Sequence, residues 1–347
     1  MTAGRGPSGP GPIGSQADSG ESAGRHRPDL PSLRFRAEAL RKVRAFFLER
    51  DILEIETPVL SRGISLDCHI DVFSAAWHSG GYARPGSAEG EPRFLQTSPE
   101  PHMKRLLTRG FPDLYQVGKA FRNGETGRVH NPEFTMIEWY RRGFNLENLM
   151  DEVEALSLLI TGPRPVERKT YARAFQEALG IDPLEMTLES LLAHPGIAAL
   201  LPSGHAFPTR ADALDFLMAH AVEPSFPPDR LVFVTGFPAD QAAQAQTDPE
   251  DPSVAQRFEV YGAGMELGNG YLELLDPGEY ERRFDKENVK RRAAGKPELP
   301  KDRALLADLI RGLPACAGVA MGFDRLVMLG LGKAEIASVL TFPWDVS

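Results

Sequence analysis

The chain's 347 residues and 38.1 kDa are enough for about two average domains or one large one, and 42% hydrophobic with 25% charged residues suits a protein with a sizeable apolar core. It has no stretch of eighteen apolar residues and no apolar segment behind the N-terminal basic residues, which excludes a transmembrane helix and a secretory signal and points to the cytoplasm. A net charge of −9, from 39 basic and 48 acidic residues, has the wrong sign for coating nucleic acid; it suits a small partner, or one that is basic where it docks.

The first 24 residues hold seven Gly, three Pro and four Ser, so residues 1–31 are expected to be a disordered extension, with order beginning near Leu33. Phe35, Ala39, Leu40, Val43, Phe46 and Phe47 recur at helical spacing, and the run from Asp51 to Pro58 predicts a short edge strand. A Gly/Ser/Pro-rich loop over Ser79–Pro92 precedes a helix from His102 to Arg109. Leu114–Arg122 and Pro132–Tyr140 form a long hairpin, followed by an amphipathic helix over Leu146–Ile160. Residues 162–230 are helix-rich and Pro-punctuated, an expected insertion or lid-like subdomain. Strands follow at Leu231–Phe237 and Arg257–Tyr261, then helices at Tyr280–Ala294, Arg303–Arg311 and Phe323–Leu331. Hairpins and long helical excursions predict an α+β fold with a mainly antiparallel sheet. Cys68 and Cys316 lack Cys-x-x-Cys spacing, so each reads as a small buried hydrophobe and not as part of a zinc site or disulfide framework.

Four segments carry chemistry. On the hairpin, Arg122, Arg128 and His130 bracket one loop, as a polyphosphate requires, and a period of two puts Phe134, Met136, Glu138 and Tyr140 on one face. There an aromatic can stack a nucleobase, while the carboxylate and phenol hold an amine. Glu266 and Glu273 are seven residues apart, and a bulge or bend at Gly268-Asn-Gly270 would bring them together as a Mg²⁺ site. Gly318 and Gly322 open the last helix, where Arg325 needs a charged partner; Asp324, adjacent on the helix, does not face it, so a phosphate is expected. Ser98-Pro99-Glu100 taken alone is an ordinary helix start.

Together these segments resemble the catalytic core of the class II aminoacyl-tRNA synthetases of lysyl type. Glu56-Thr-Pro58 is similar to motif 1, Phe121-Arg-Asn with Asn131-Pro-Glu-Phe-Thr-Met-Ile-Glu138 to motif 2, and Gly322-Phe-Asp-Arg325 to motif 3. Glu266-Leu-Gly-Asn-Gly-Tyr-Leu-Glu273 resembles the lysine and magnesium segment. The resemblance covers residues 33–345 but includes no anticodon-binding OB-fold, so 32–347 is expected to be one catalytic domain. Thr97-Ser-Pro-Glu-Pro-His-Met-Lys-Arg, His130–Tyr140, Phe237–Gln246 and Arg257-Phe-Glu-Val-Tyr261 are similar to a truncated subfamily, the elongation factor P–lysine lysyltransferases. That resemblance implies (R)-β-lysine, ATP and Mg²⁺ as small partners and elongation factor P as acceptor. It further implies a cytoplasmic homodimer with no stable tRNA complex. By the same resemblance Ser98, Pro99, Glu100, Glu138, Tyr140, Glu273 and Ala320 meet the amino acid. Arg122, Asn123, Gly124, Asn131, Phe134, Glu266, Leu267, Gly322 and Arg325 meet ATP. Arg122 and Arg325 stabilise charge, and Glu266 with Glu273 holds the metal. Ala320 stands where the lysyl-tRNA synthetases have glycine.

One departure is Gly124, where the family places an acid that contacts ATP; Glu125, one residue on, is expected to take over that contact. Alternatives are a tRNA-charging enzyme without an anticodon domain, an idle synthetase paralogue with a regulatory role, and an amide ligase of asparagine synthetase type.

Overall fold

The computed structural model describes residues 29–64, 67–79, 90–201 and 207–347. The disorder expected for residues 1–31 falls almost wholly outside these, as does most of the Ser79–Pro92 loop. Helix α1 (Leu30–Leu48) starts slightly earlier than expected, with Pro31 in its first turn, where a missing N–H costs nothing. Ala39, Val43, Phe46 and Phe47 form its buried stripe. The expected edge strand shrinks to β1 (Leu53–Glu54). A small sheet not foreseen from sequence follows, built from β2 (Leu60–Ser61), β3 (Ser74–Trp77) and β4 (Glu91–Leu95). Helix α2 (Glu100–Leu107) leads to the hairpin of β5 (Leu114–Phe121) and β6 (Glu133–Arg142), paired without a break from Leu114↔Tyr140 to Phe121↔Glu133. Asn145 then caps α3 (Leu146–Thr161) by accepting from the Asn148 N–H at 2.8 Å.

The stretch at 162–230 is helix-rich, with α4 (Tyr171–Leu179), α5 (Leu188–Ala193), α6 (Pro195–Ala198) and α7 (Arg210–Leu217). It opens, however, with β7 (Val166–Thr170), which pairs parallel to β8 (Leu231–Pro238). Tyr171, Phe175, Leu214 and Leu217 share one buried cluster with Val232 and Val234. The segment therefore extends the main sheet and shares a core with it; it does not stand apart as a lid.

The remaining elements are β9 (Val254–Gly262), β10 (Glu266–Leu272), α8 (Pro277–Ala293), α9 (Arg303–Leu309), β11 (Cys316–Gly322) and α10 (Phe323–Leu331). Sequence reading treats the Gly-rich run at β11 only as the mouth of α10. It is a full strand inserted between β6 and β10, and the eight-stranded sheet runs β1-β5-β6-β11-β10-β9-β8-β7. Its interior is antiparallel with a parallel pair at each edge, the α+β architecture the sequence predicts. One face is covered by α1, α3 and α10 around Phe47, Trp139, Val153 and Phe323. There the Trp139 Nε1–H donates to Glu152 at 2.9 Å, and Arg141 neutralises that carboxylate at 3.4 Å. The opposite face carries α2, α8 and α9 and the cavity described next. Cys68 and Cys316 are buried and unlinked. Among the described residues no helix is long and apolar enough to cross a membrane.

Candidate active site

A cavity of about 350 Å³ lies on the face of β6, β11, β10 and β9 away from the helical core. Strand alternation sends Ile137 and Trp139 into the core and Phe134, Met136, Glu138 and Tyr140 into the cavity. The ladder registers then fix a grid on its floor. Glu138, Ala320, Asn269 and Glu259 stand in one row across four strands, and Tyr140, Gly318, Tyr271 and Arg257 in the next. Gly318 has to be glycine, because a methyl there would lie 2.4 Å from both Tyr140 Cε1 and Glu273 Oε1.

At the closed end, Ser98 and Tyr140 donate to the two oxygens of Glu138 at 2.7 and 2.8 Å. The Glu100 N–H donates to Ser98 Oγ at 3.0 Å, and Pro99 sets the turn into α2 without touching the cavity. Lys104 of α2 is fully buried, with Nζ 2.6 Å from both Glu100 Oε1 and Glu273 Oε2. Three carboxyl groups thus gather around this end, two of them on the Lys104 ammonium and the third on Ser98 and Tyr140. Burial, reinforced by Glu100, pushes Glu138 up to about 8, although Ser98 and Tyr140 pull the other way. Burial also pushes Glu273 up to about 7, with Lys104 opposing. A site this acidic and this dry suits a ligand with two ammonium groups.

At the open end Arg325 is not the unpartnered buried cation that the sequence suggests. Its guanidinium donates to the carbonyls of Glu266 (2.7 Å) and Val129 (3.2 Å) and to His130 Nε2 (2.8 Å). Asp324 does turn away from it, toward Arg36 and the Thr135 N–H. Burial, with Arg325 and Arg122 nearby, pushes His130 down to about 4, so it is a neutral acceptor. The Arg122 guanidinium lies 5.2 Å from the centre of the Phe134 ring, and its buried Nε has no partner among the described residues. Asn131 lines the cavity, but its amide is committed to the Glu133 carbonyl and the Trp344 N–H. Leu267 and Gly322 line it as well, whereas Asn123 and Gly124 do not. Gly124 has φ +81°, a left-handed turn that swings Glu125 into the cavity wall 3.8 Å from Arg122.

The pairing of Glu266 with Glu273 needs correction. The register shift falls at Leu267, not across Gly268–Gly270, and it puts both carboxylates on the cavity face. The strand then runs straight, and at about 3.3 Å per residue the two backbones are about 20 Å apart, too far for one ion to touch both. Gly268 and Gly270 make room for the core instead, since a methyl at either would meet Met321 at 2.7 Å or Phe258 at 2.4 Å. The acid that feels Glu266 is Glu259 on β9, whose proton affinity the Glu266 charge helps to raise. Burial pushes Glu259 up to about 6 even though Arg257 grips it, and Glu223 contributes a third carboxylate nearby. Glu259 and Glu266 offer hard oxygen donors from adjacent strands, the kind a divalent cation such as Mg²⁺ takes, with Glu259 also accepting from Arg257 and the Tyr261 hydroxyl.

Sequence reading missed Glu259, Lys104 and Asn269. The alternation Arg257-Phe-Glu-Val-Tyr261 was the available signal for Glu259. Lys104 sat inside a helix with no visible partner.

The family model described as tRNA synthetases class II (D, K and N) matches residues 27–346. The elongation factor P–(R)-β-lysine ligase of Vibrio cholerae is 46% identical over 315 residues, covering 91% of this chain and 96% of that protein. Proteins of the same name from Vibrio atlanticus and Klebsiella pneumoniae are each 43% identical, covering 92% and 91% of this chain and 97% and 96% of theirs. With matches running from end to end of the described fold, this chain belongs to the class II tRNA synthetase family.

Proposed function

We propose that this protein activates (R)-β-lysine with ATP and transfers it to a lysine side chain of elongation factor P. The observation that carries this is the cluster of three carboxyl groups, Glu100, Glu138 and Glu273, around Lys104, on the same sheet face as Arg122 and Arg325. The names and full-length coverage of the relatives support the same reading.

The amino-acid carboxylate attacks the α-phosphorus of ATP and pyrophosphate leaves, giving the aminoacyl-adenylate. No general base is required, because a carboxylate is already a nucleophile. Glu138 and the Glu100–Lys104–Glu273 set hold the two ammonium groups, and Ala320 and Asn269 form the floor between them. Phe134 offers a face to adenine. Arg122 and Arg325 lie where the phosphates gain charge, and their donors are fixed beforehand by the contacts described above. Glu259 and Glu266 would hold Mg²⁺, which when bound withdraws charge from the phosphates. In the second half, the ε-nitrogen of the acceptor lysine attacks the carbonyl carbon and AMP leaves.

The short edge strand β1 and the exposed Leu48, Leu53, Val59 and Leu60 around it support a homodimer formed at that edge. A cytoplasmic location follows from the translation factor as acceptor.

The test is the intact mass of elongation factor P after incubation with this protein, Mg-ATP and (R)-β-lysine, beside an α-lysine control. A gain of one lysyl unit, faster with the β isomer, is expected. No gain with either isomer would overturn the reading.

A further inference from the structure

A second cavity, of about 490 Å³, opens beside the first. The two share Asp67, Ala243, Gln244 and Arg257, and of the second cavity's lining only Arg257, through its hold on Glu259, has a part in adenylate formation. Ala243 has φ +48°, a left-handed conformation uncommon outside glycine. Arg283 pins this turn by donating to the carbonyls of Ala243 (2.8 Å) and Ala245 (2.7 Å). Gln244 is thereby held at the junction, only 8% exposed, with its carbonyl Oε1 lacking a partner among the described residues. A buried acceptor left unpaired is costly unless something donates to it. Asp67 lines the same junction, an exposed carboxylate that accepts a single hydrogen bond among the described residues, from the His69 N–H at 2.8 Å.

Arg257 brings a guanidinium to the junction, but its two terminal amino groups are held by the Gln241 carbonyl and Glu259. The other polar groups there, the Asp67 carboxylate and the orphaned Gln244 amide oxygen, are acceptors, which suits an ammonium donor. Asp212 and Asp215 add negative charge from the α7 side. Facing them, Arg282 is held by Glu279 at 2.7 Å and Lys290 by Glu287 at 2.6 Å, which leaves Lys286 as the α8 cation without an ion pair among the described residues. With the adenylate in the first cavity, the second gives the acceptor amine a route separate from the open end at Arg122 and Arg325.

We infer that the second cavity is the port through which the acceptor lysine reaches the adenylate, guided by Asp67 and Gln244. This deepens the function proposed above and rests on it. The arriving ammonium sheds one proton to water. Its nitrogen then forms the carbon–nitrogen bond to the carbonyl carbon, and the carbon–oxygen bond to AMP breaks with the electron pair leaving on the phosphate. The second proton is lost to solvent as the amide forms.

The experiment separates the two half-reactions in full-length Gln244→Trp, which plugs the junction, and Asp67→Asn, which removes its charge. Expected is β-lysine-dependent ATP–pyrophosphate exchange within about twofold of the parent, with transfer to elongation factor P slowed at least about tenfold, the size of losing one hydrogen bond to a charged group. Transfer at the parental rate in both variants overturns the port. So does a transfer loss that merely tracks an equal loss of exchange. If the parent itself makes adenylate but never modifies elongation factor P, the proposed function fails, and that outcome is distinct from either.

Discussion

Gly318 faces Tyr140 across the β6–β11 ladder so closely that a methyl on Gly318 would lie 2.4 Å from the Tyr140 ring. The same methyl would be as close to Glu273 Oε1, so the phenol and the carboxylate meet only because this strand position has no side chain. Gly318→Ala should therefore push β11 away from β6 or eject Tyr140 from the closed end. The expected cost is about 1–3 kcal/mol of stability, as for other overpacked interiors. Amino-acid-dependent exchange should be lost while ATP still binds. A variant with parental melting temperature and parental Michaelis constant for the amino acid would show that the close packing has no role.

Lys104 supplies a counter-charge to both Glu100 and Glu273 at the closed end. Lys104→Met leaves two buried carboxylates facing each other and should destabilise the protein by about 3–5 kcal/mol, as when one partner of a buried pair is removed. Glu273→Gln should cost much less, because Lys104 keeps Glu100. Chemical denaturation of the two variants side by side decides it, and equal losses would refute this account of the triad.

These contacts show where sequence was sufficient and where it was not. Period-two alternation placed Phe134, Glu138 and Tyr140 on one face because β6 is a long strand with a clear buried and open side. Lys104 was invisible because its partners come from Glu100 one helical turn before and from Glu273 across the fold, and only the folded chain brings the latter near. Strand β11 was missed for a related reason. Cys316-Ala-Gly-Val-Ala-Met-Gly322 is rich in residues with weak strand preference, and its conformation is imposed by β6 and β10 on either side. Gly268 and Gly270 suggested a bend, but their small size serves Met321 and Phe258 in the core.

Raised carboxyl groups make a pH prediction with a definite sign. Glu138 and Glu273 hold their protons more tightly in the fold, up to about 8 and about 7, than a carboxyl of ordinary value 4.5 does. Their contribution to stability is full below pH 4.5 and is lost as pH rises through 7 to 8. The ligand-free melting temperature should therefore fall between about pH 5 and 8 and level off above. (R)-β-Lysine requires the ionised forms, so it should bind more tightly as pH rises over the same range, with proton release. Calorimetry in buffers of different ionisation enthalpy measures that release. Glu138→Gln should reduce it, and an unchanged proton count would contradict the assignment.

Glu125 stands 3.8 Å from Arg122 in the place left by the turn at Gly124. Glu125→Ala should raise the Michaelis constant for ATP several-fold, since it frees Arg122 to lose its orientation. Stability should change by less than about 0.5 kcal/mol, as for other surface substitutions. An unchanged constant for ATP would mean that Glu125 does not replace the acid the family carries one residue earlier.

The separation of Glu266 from Glu273 along β10 divides the acids of the cavity into two groups with different tasks. Glu266 lies 3.9 Å from Arg325, and its charge raises the proton affinity of Glu259 on the neighbouring strand. Glu259→Gln and Glu266→Gln should each weaken Mg²⁺-dependent ATP binding by roughly tenfold or more, about the loss of one charged contact. Glu273→Gln should leave that dependence intact and weaken amino-acid binding instead, because its carboxylate faces Lys104 at the closed end. Calorimetric titration of ATP at several Mg²⁺ concentrations, without amino acid, reads the first effect independently of turnover. If Glu273→Gln shifted the Mg²⁺ requirement as far as Glu266→Gln, the two acids would share an ion after all, and β10 would have to bend on binding in the way its glycines first suggested.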